Sequence, residues 1–235
     1  NWDIDANNRV YASFSIAQKE PTRNNYTDGN ADEYPKAEKL LDYELGYTYR
    51  NTWLSAGANF YYMDYKDQLV LTGELNEIGE AMARNVPDSY RMGMELMLGV
   101  KPCQWFQWDI NGTLSKNRVK NFTEKLYEDE WKNPIEVSHG NTPIAFSPDL
   151  ILNNRFSFSY RGFEVALQSQ YVSKQYMSNA RQADQTLDTY FVSNLNLAYT
   201  FKLPHVKSVT AGFTIYNLFN AEYENNGYAG SGYKI

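Results

Sequence analysis

The residues able to make or break bonds are few, and their spacing keeps them apart. His139 and His205 are the only histidines. His205 follows Pro204 in a short polar link and His139 lies in a long one, so the two belong to opposite ends of the elements between them. A shared metal centre or a histidine base beside a nucleophile is therefore not expected. Cys103 is the only cysteine; it sits in Pro-Cys-Gln-Trp, with no second thiol to bond and no activating neighbour. Asp28, Asp32 and Glu33 in "TDGNADEY" supply acidity without the ligand ladder of a calcium loop. Glu128, Asp129 and Glu130 read as another solvated acidic loop. No G-x-S-x-G, phosphate-loop or H-E-x-x-H string is present. The chain is expected to be no enzyme and to carry no metal or cofactor.

The elements that would position any site follow one pattern. In "FEVALQSQYVSKQYM", Phe163, Val165, Leu167 and Tyr171 occupy alternate positions, with Glu164, Gln168 and Gln170 between them. A period of two describes a strand with one apolar and one polar side. The same alternation runs through "RVYASFSIA", "DYELGYTYR", "WLSAGANFYYMDY", "RMGMELMLGVK", "FQWDINGTLS", "LILNNRFSFSYR", "YFVSNLNLAYTFK" and "VTAGFTIYNLF". With the first run these predict nine strands and no helix beside them. Short links near Asn51, Cys103, Arg161 and Pro204 alternate with long polar ones at 21–39, 74–84, 123–146 and 178–188, and a fifth begins near Asn225. Tight turns at one end and large loops at the other are the habit of an antiparallel membrane barrel.

Composition narrows the choice. The net charge of −6 gives no basic footprint for nucleic acid. No run of 18 apolar residues exists, which excludes a spanning helix but not a barrel, whose hydrophobicity hides in alternation. Tyr occurs 20 times, and Trp53, Trp105, Tyr160 and Tyr199 gather near strand ends, where rings suit a lipid–water boundary. A large soluble antiparallel sheet is the alternative reading of the same alternation. Nine strands is an odd number, and single-chain bacterial barrels use even ones, so the wall is expected to be incomplete. The chain begins at Asn1 with no apolar leader, and so reads as processed or as a piece of something longer.

Against this frame "TIYNLFNAEYENNGY" (214–228) resembles the penultimate strand of TonB-dependent outer-membrane receptors. "EKLLDYELGYTYRN", "YYMDYKDQLVL" and "ARNVPDSYRMGMEL" resemble successive strands of the same barrels, in order along the chain. The resemblance implies an all-β fold: a transmembrane antiparallel up-and-down β-barrel, incomplete here. This chain would hold about nine of the last ten strands of a 22-stranded barrel with a plugged lumen. It also implies that residues 1–235 are the C-terminal portion of the barrel domain, with the plug domain and final strand outside them. The implied activity is uptake, across the bacterial outer membrane, of a scarce bulky nutrient such as an iron–siderophore, haem or cobalamin, energised by TonB. Partners would be outer-membrane lipid, the plug and remaining strands, TonB and a small-molecule ligand. A passive porin, or a surface β-rich binding or adhesion protein, would share much of the pattern.

Two sets of site residues follow. Tyr26, Tyr34, Tyr127, Trp131 and Tyr176 are loop aromatics that could stack on a flat ligand or simply extend the aromatic girdle. Phe163, Val165, Leu167, Tyr171, Leu195 and Leu197 are expected to face lipid, and Arg155 and Arg161 to face the lumen.

Overall fold

A computed structural model describes residues 1–27, 34–76, 78–126 and 135–229, with the side chains of 125 and 126 left aside. The chain runs through β1 (Trp2–Asp3), β2 (Asn8–Lys19), a single helical turn α1 (Arg23–Thr27), β3 (Glu38–Arg50) and β4 (Leu54–Leu75). It continues with β5 (Ala81–Cys103), β6 (Phe106–Leu126), β7 (Ile135–Pro143), β8 (Leu150–Tyr160) and β9 (Phe163–Val172). Last come β10 (Gln175–Tyr176), β11 (Thr186–Leu187), β12 (Tyr190–Leu203) and β13 (Val206–Ile215). Among the described residues the main sheet has the order β1-β2-β3-β4-β5-β6-β8-β9-β12-β13, with β7 beside β6, while β10 and β11 form a separate hairpin. Each strand pairs antiparallel with the next, which is the up-and-down meander. The nine expected strands are β2, β3, β4, β5, β6, β8, β9, β12 and β13. Among the described residues the sheet has two ends and does not close.

Local chemistry explains the tight turns. Arg161 and Gly162 have φ of 48° and 86°, the double left-handed geometry of a two-residue type I′ turn, whose twist matches that of the flanking strands. At the β3–β4 turn the Asn51 side-chain oxygen accepts the N–H groups of Trp53 and Leu54 at 3.0 and 2.7 Å. Asp5 does the same between β1 and β2, accepting from the N–H groups of Asn7 and Asn8 at 2.7 and 2.9 Å. Short side chains that bond their own backbone favour such turns.

The register separates two faces. Ala12, Leu45, Phe60, Met94 and Leu114 stand opposite one another in succession from β2 to β6. Phe106, Phe158, Val165, Leu197 and Phe213 do so from β6 to β13. Directly opposed residues share a face, so one apolar face runs the width of the sheet. It is open to solvent in the isolated chain: Phe14 is 57% exposed, Leu114 57%, Phe163 60% and Phe213 64%. The opposite face carries side-chain amide ladders. Gln170 donates to Asn153, which donates to Asn111, both at 3.1 Å. Thr214 donates to Asn196 at 3.0 Å, and Asn196 to Gln168 at 3.3 Å.

Three boundaries differ from the sequence expectation. The link expected at 74–84 is only 76–80, because β4 and β5 keep pairing as far as Leu75 and Ala81. The link expected at 123–146 contains β7, paired with β6 from Leu126–Ile135 to Arg118–Pro143. These extensions lack a clean period of two because water or other loops touch both sides, and a reversal at Asp67 (φ 51°) interrupts β4. They are held by a small core of Val70, Val86, Val119 and Ile144, with Phe122 against it. The run expected to continue to Phe219 leaves regular pairing at Ile215. Asn217 turns left-handed (φ 49°), and its N–H bonds the Asn194 side chain at 2.9 Å.

Candidate functional site

The polar face and the loop end are the parts of this sheet able to meet a ligand. On the polar face, Glu44, Asn59, Tyr61, Arg91 and Glu95 line a recess of about 330 Å³, overhung by Phe146, Ser147 and Pro148. The overhang is tied to the wall by three bonds. Arg91 Nη1 donates to Ser147 Oγ at 3.0 Å, Ser115 Oγ to the Pro148 carbonyl at 3.1 Å, and Ser115 N–H to the Asp149 carbonyl at 2.8 Å. Asn59 donates to Glu95 at a long 3.4 Å, and its own side-chain oxygen is buried without a partner. Two carboxylates, one guanidinium and an amide can bind a polar group. The hydroxyls beside them, Ser115 and Ser147, donate to the backbone carbonyls of Pro148 and Ala145 rather than to a base, so the arrangement supplies binding without an activated nucleophile.

At the loop end, segments far apart in sequence pack on one another. Asn179 is 4% exposed. Its side-chain oxygen accepts the Ala145 N–H at 2.8 Å, and its amide donates to the Leu71 carbonyl at 2.8 Å. Phe146 N–H bonds the Tyr176 carbonyl at 2.8 Å, and Ala229 N–H the Gly73 carbonyl at 2.6 Å. Met177 and Leu187 are buried beneath. The outer end of β4, the β7–β8 and β9–β12 loops and the segment after β13 thus form one packed unit.

The expected site residues fare differently. Tyr176 belongs to this unit, half-buried, with Lys174 Nζ 5.8 Å from its ring centre. Tyr26 lies exposed on α1, which reaches the β4–β5 tip through Asn24 and Glu80 at 2.6 Å. Tyr34 is exposed on the approach to β3. No ring contact joins Tyr26, Tyr34 and Tyr176 among the described residues. Tyr127 and Trp131 lie outside the described residues, as do Asp28, Asp32, Glu33 and Glu128–Glu130.

The six residues expected on one side do share it. Leu167 stands opposite Leu195, Val165 opposite Leu197 and Tyr171 opposite Phe191, and the Phe163 and Tyr199 rings approach to 4.3 Å. Arg155 stands on the polar face, opposite Asp109 and Gln168. Arg161 instead occupies the β8–β9 turn, its guanidinium 5.2 Å from the Tyr160 ring centre. His205 sits in the β12–β13 turn, whereas His139 bonds Glu124 at 2.8 Å near the loops. Asn179 and Ser147 escaped sequence reading, because nothing in a loop's composition marks which amide will be buried.

A two-faced meander with turns at one end and packed loops at the other is matched, over residues 1–218, by the family model "TonB dependent receptor-like, beta-barrel". The chain belongs to that family. Its members are outer-membrane proteins of bacteria, receptors and transporters rather than enzymes. Among curated relatives of this receptor-barrel chain is the pesticin receptor of Yersinia enterocolitica, 24% identical over 94% of the chain and 30% of the relative. Among solved structures, the ferric yersiniabactin uptake receptor FyuA from Yersinia pestis superposes with a TM-score of 0.70 at 20% identity, covering 98% of this chain and 33% of that one. The copper transporter OprC superposes with a TM-score of 0.68 at 18% identity, covering 94% and 33%. The chain therefore spans about a third of the length of the receptors it matches, which agrees with a sheet that does not close.

Proposed function

We propose that these residues form one stretch of the wall of an energised outer-membrane receptor that imports a scarce, bulky nutrient, with iron–siderophore complexes as the first class to test. Haem and cobalamin belong to the same size class. One observation carries the reading: an apolar face that runs unbroken across nine strands, with amide ladders on its reverse. A soluble protein rarely leaves so large an apolar surface open, whereas a barrel in lipid requires it. Phe163, Val165, Leu167, Tyr171, Leu195 and Leu197 then face lipid, and Arg155, Gln168 and Asn196 face a hydrated lumen. The open edges call for further strands, because unpaired backbone groups in lipid cost several kcal/mol each.

In this reading the packed loops and the recess at Arg91 and Glu95 receive the ligand's polar rim. A plug domain and TonB supply gating and energy from residues outside this stretch. Two structures of the same fold belong to a ferric yersiniabactin uptake receptor and a copper transporter, which supports a metal-bearing cargo.

The test is growth of a deletion strain on single iron sources, each a defined ferric siderophore, with and without TonB. Loss of growth on one source, restored by the intact gene only when TonB is present, is the expected result. Rescue that persists without TonB would indicate a passive channel. A product that stays dispersed without detergent would indicate a surface-exposed binding protein.

A further inference from the structure

Toward the loops the apolar face turns basic. On β6 the side chains of that face are Phe106, Trp108, Ile110, Gly112 and Leu114, then Lys116, Arg118 and Lys120. The register fixes the assignment: Lys116 stands opposite Met92 and Arg118 opposite Tyr90, while on the neighbouring strands Lys66 stands opposite Lys39 and Asp88. A file of rings marks the boundary. Phe14, Tyr43, Tyr62 and Tyr90 follow one another with centroids 5.0, 6.5 and 6.2 Å apart, an aromatic girdle of the kind found at the edge of hydrocarbon.

Lys116 stands in the row of Phe14, Tyr43 and Tyr62, reached through Met92, and Arg118, Lys120, Lys39 and Lys66 lie further toward the loops. The charges at and beyond the rings do not balance. Lys120 Nζ lies 3.0 Å from Asp64, Arg118 3.6 Å from Asp149, and Lys66 bonds Asp88. Lys39 and Lys116 are exposed and have no ion-pair partner among the described residues. Five cations thus meet three carboxylates, a local positive excess on a chain whose net charge is −6. Lys116, one pleat beyond the exposed Leu114, can lay its stem on the apolar surface and lift its ammonium to the headgroup layer.

We propose that Lys116, Arg118 and Lys120 of β6, with Lys39 and Lys66, form a docking surface for the phosphorylated headgroups of the lipid leaflet on the loop side. The occupant is a lipid rather than a free anion, because the basic row is continuous with the apolar face, so acyl chains and phosphate can be held at once. Positions two apart on a strand lie about 7 Å apart, which lets neighbouring cations share one bulky phosphorylated headgroup. The proposal rests on the lipid-facing reading of this wall.

The test uses the full receptor containing this wall, in detergent, mixed with micelles doped with lipid A or with phosphatidylcholine, or with inorganic phosphate at matched phosphate concentration. Retained lipid is counted by native mass spectrometry. The receptor retains lipid A in preference to phosphatidylcholine, and K116Q/R118Q weakens retention about tenfold or more, in line with the contribution of basic residues near an anionic surface. K116R/R118K restores it, and K101Q/K207Q at the turn end leaves it unchanged. Equal retention by K116Q/R118Q in a barrel that still shows heat-modifiable migration would overturn the proposal. Displacement of lipid A by inorganic phosphate at matched concentration would overturn it too, by making the row a free-anion site. A receptor that needs no detergent would instead overturn the lipid-facing reading itself.

Discussion

Tyr61 lies across Gly93, its direct partner on the neighbouring strand. A methyl group at 93 would stand 2.6 Å from the tyrosine oxygen and 2.6 Å from the Leu114 carbonyl oxygen. Tyr11 lies across Gly46 in the same way, and the atoms nearest to a Cβ there all belong to its ring, the first at 2.0 Å. Both pairs are on the polar face, where each ring fills the space that its glycine leaves.

The two glycines are not equivalent under substitution. Gly46→Ala displaces a ring that can rotate, whereas Gly93→Ala also strikes backbone. Overpacking of this kind costs about 1–3 kcal/mol. Gly93→Ala is expected near the top of that range, unrelieved by Tyr61→Ala, while Tyr11→Ala relieves most of the cost of Gly46→Ala. Denaturant midpoints of the four single and two double variants, measured in detergent, check this.

Placing a charge on the apolar face separates it from the polar one. Leu167→Arg, opposite Leu195 and Phe156, is expected to cost about 2–4 kcal/mol at mid-membrane depth. Gln168→Arg, one residue along and on the other face, is expected to cost far less. Heat-modifiable migration of the assembled receptor reads the difference, and a fully stable Leu167→Arg would remove the lipid-facing assignment.

The loop unit depends on Asn179. Asn179→Ala leaves the Ala145 N–H and the Leu71 carbonyl unpartnered, at about 1–3 kcal/mol for each buried group. The expected outcome is faster hydrogen exchange at 71–73, 144–146 and 176–179 with an unchanged barrel melt. Exchange that rises evenly along β2 to β13 would show that the loops and wall are one cooperative unit.

At the turn end, Asp5 is held below the usual carboxylate range, first by the Asn8 side-chain amide and then by the Asn7 N–H. A depressed folded-state pKa means that the turn's extra stability is present above about pH 4 and is lost as pH falls through the lower folded value. Amide exchange at Asn7 and Asn8, referred to the intrinsic rate, is expected to rise on acidification below pH 4. Asp5→Asn should abolish that dependence.

Alternation alone determined the wall. Nine strands, their faces, the tight turns and the shared side of Phe163, Val165, Leu167, Tyr171, Leu195 and Leu197 were legible because lipid or core on one side and water on the other impose a period of two on every strand. Chain order supplied the topology, since short turns can only join neighbours. The loop end was not legible. Once both sides of β4, β5 and β6 meet mixed surroundings the period disappears, so their extensions and β7 read as polar links. Which loop residues pack is a matter of contacts between distant segments: Asn179 with Leu71 and Ala145, Arg91 with Ser147, Lys120 with Asp64. Composition gives each of these residues a solvated appearance, and only the tertiary structure, by burying one partner against another, decides which are held and which are free to meet a ligand.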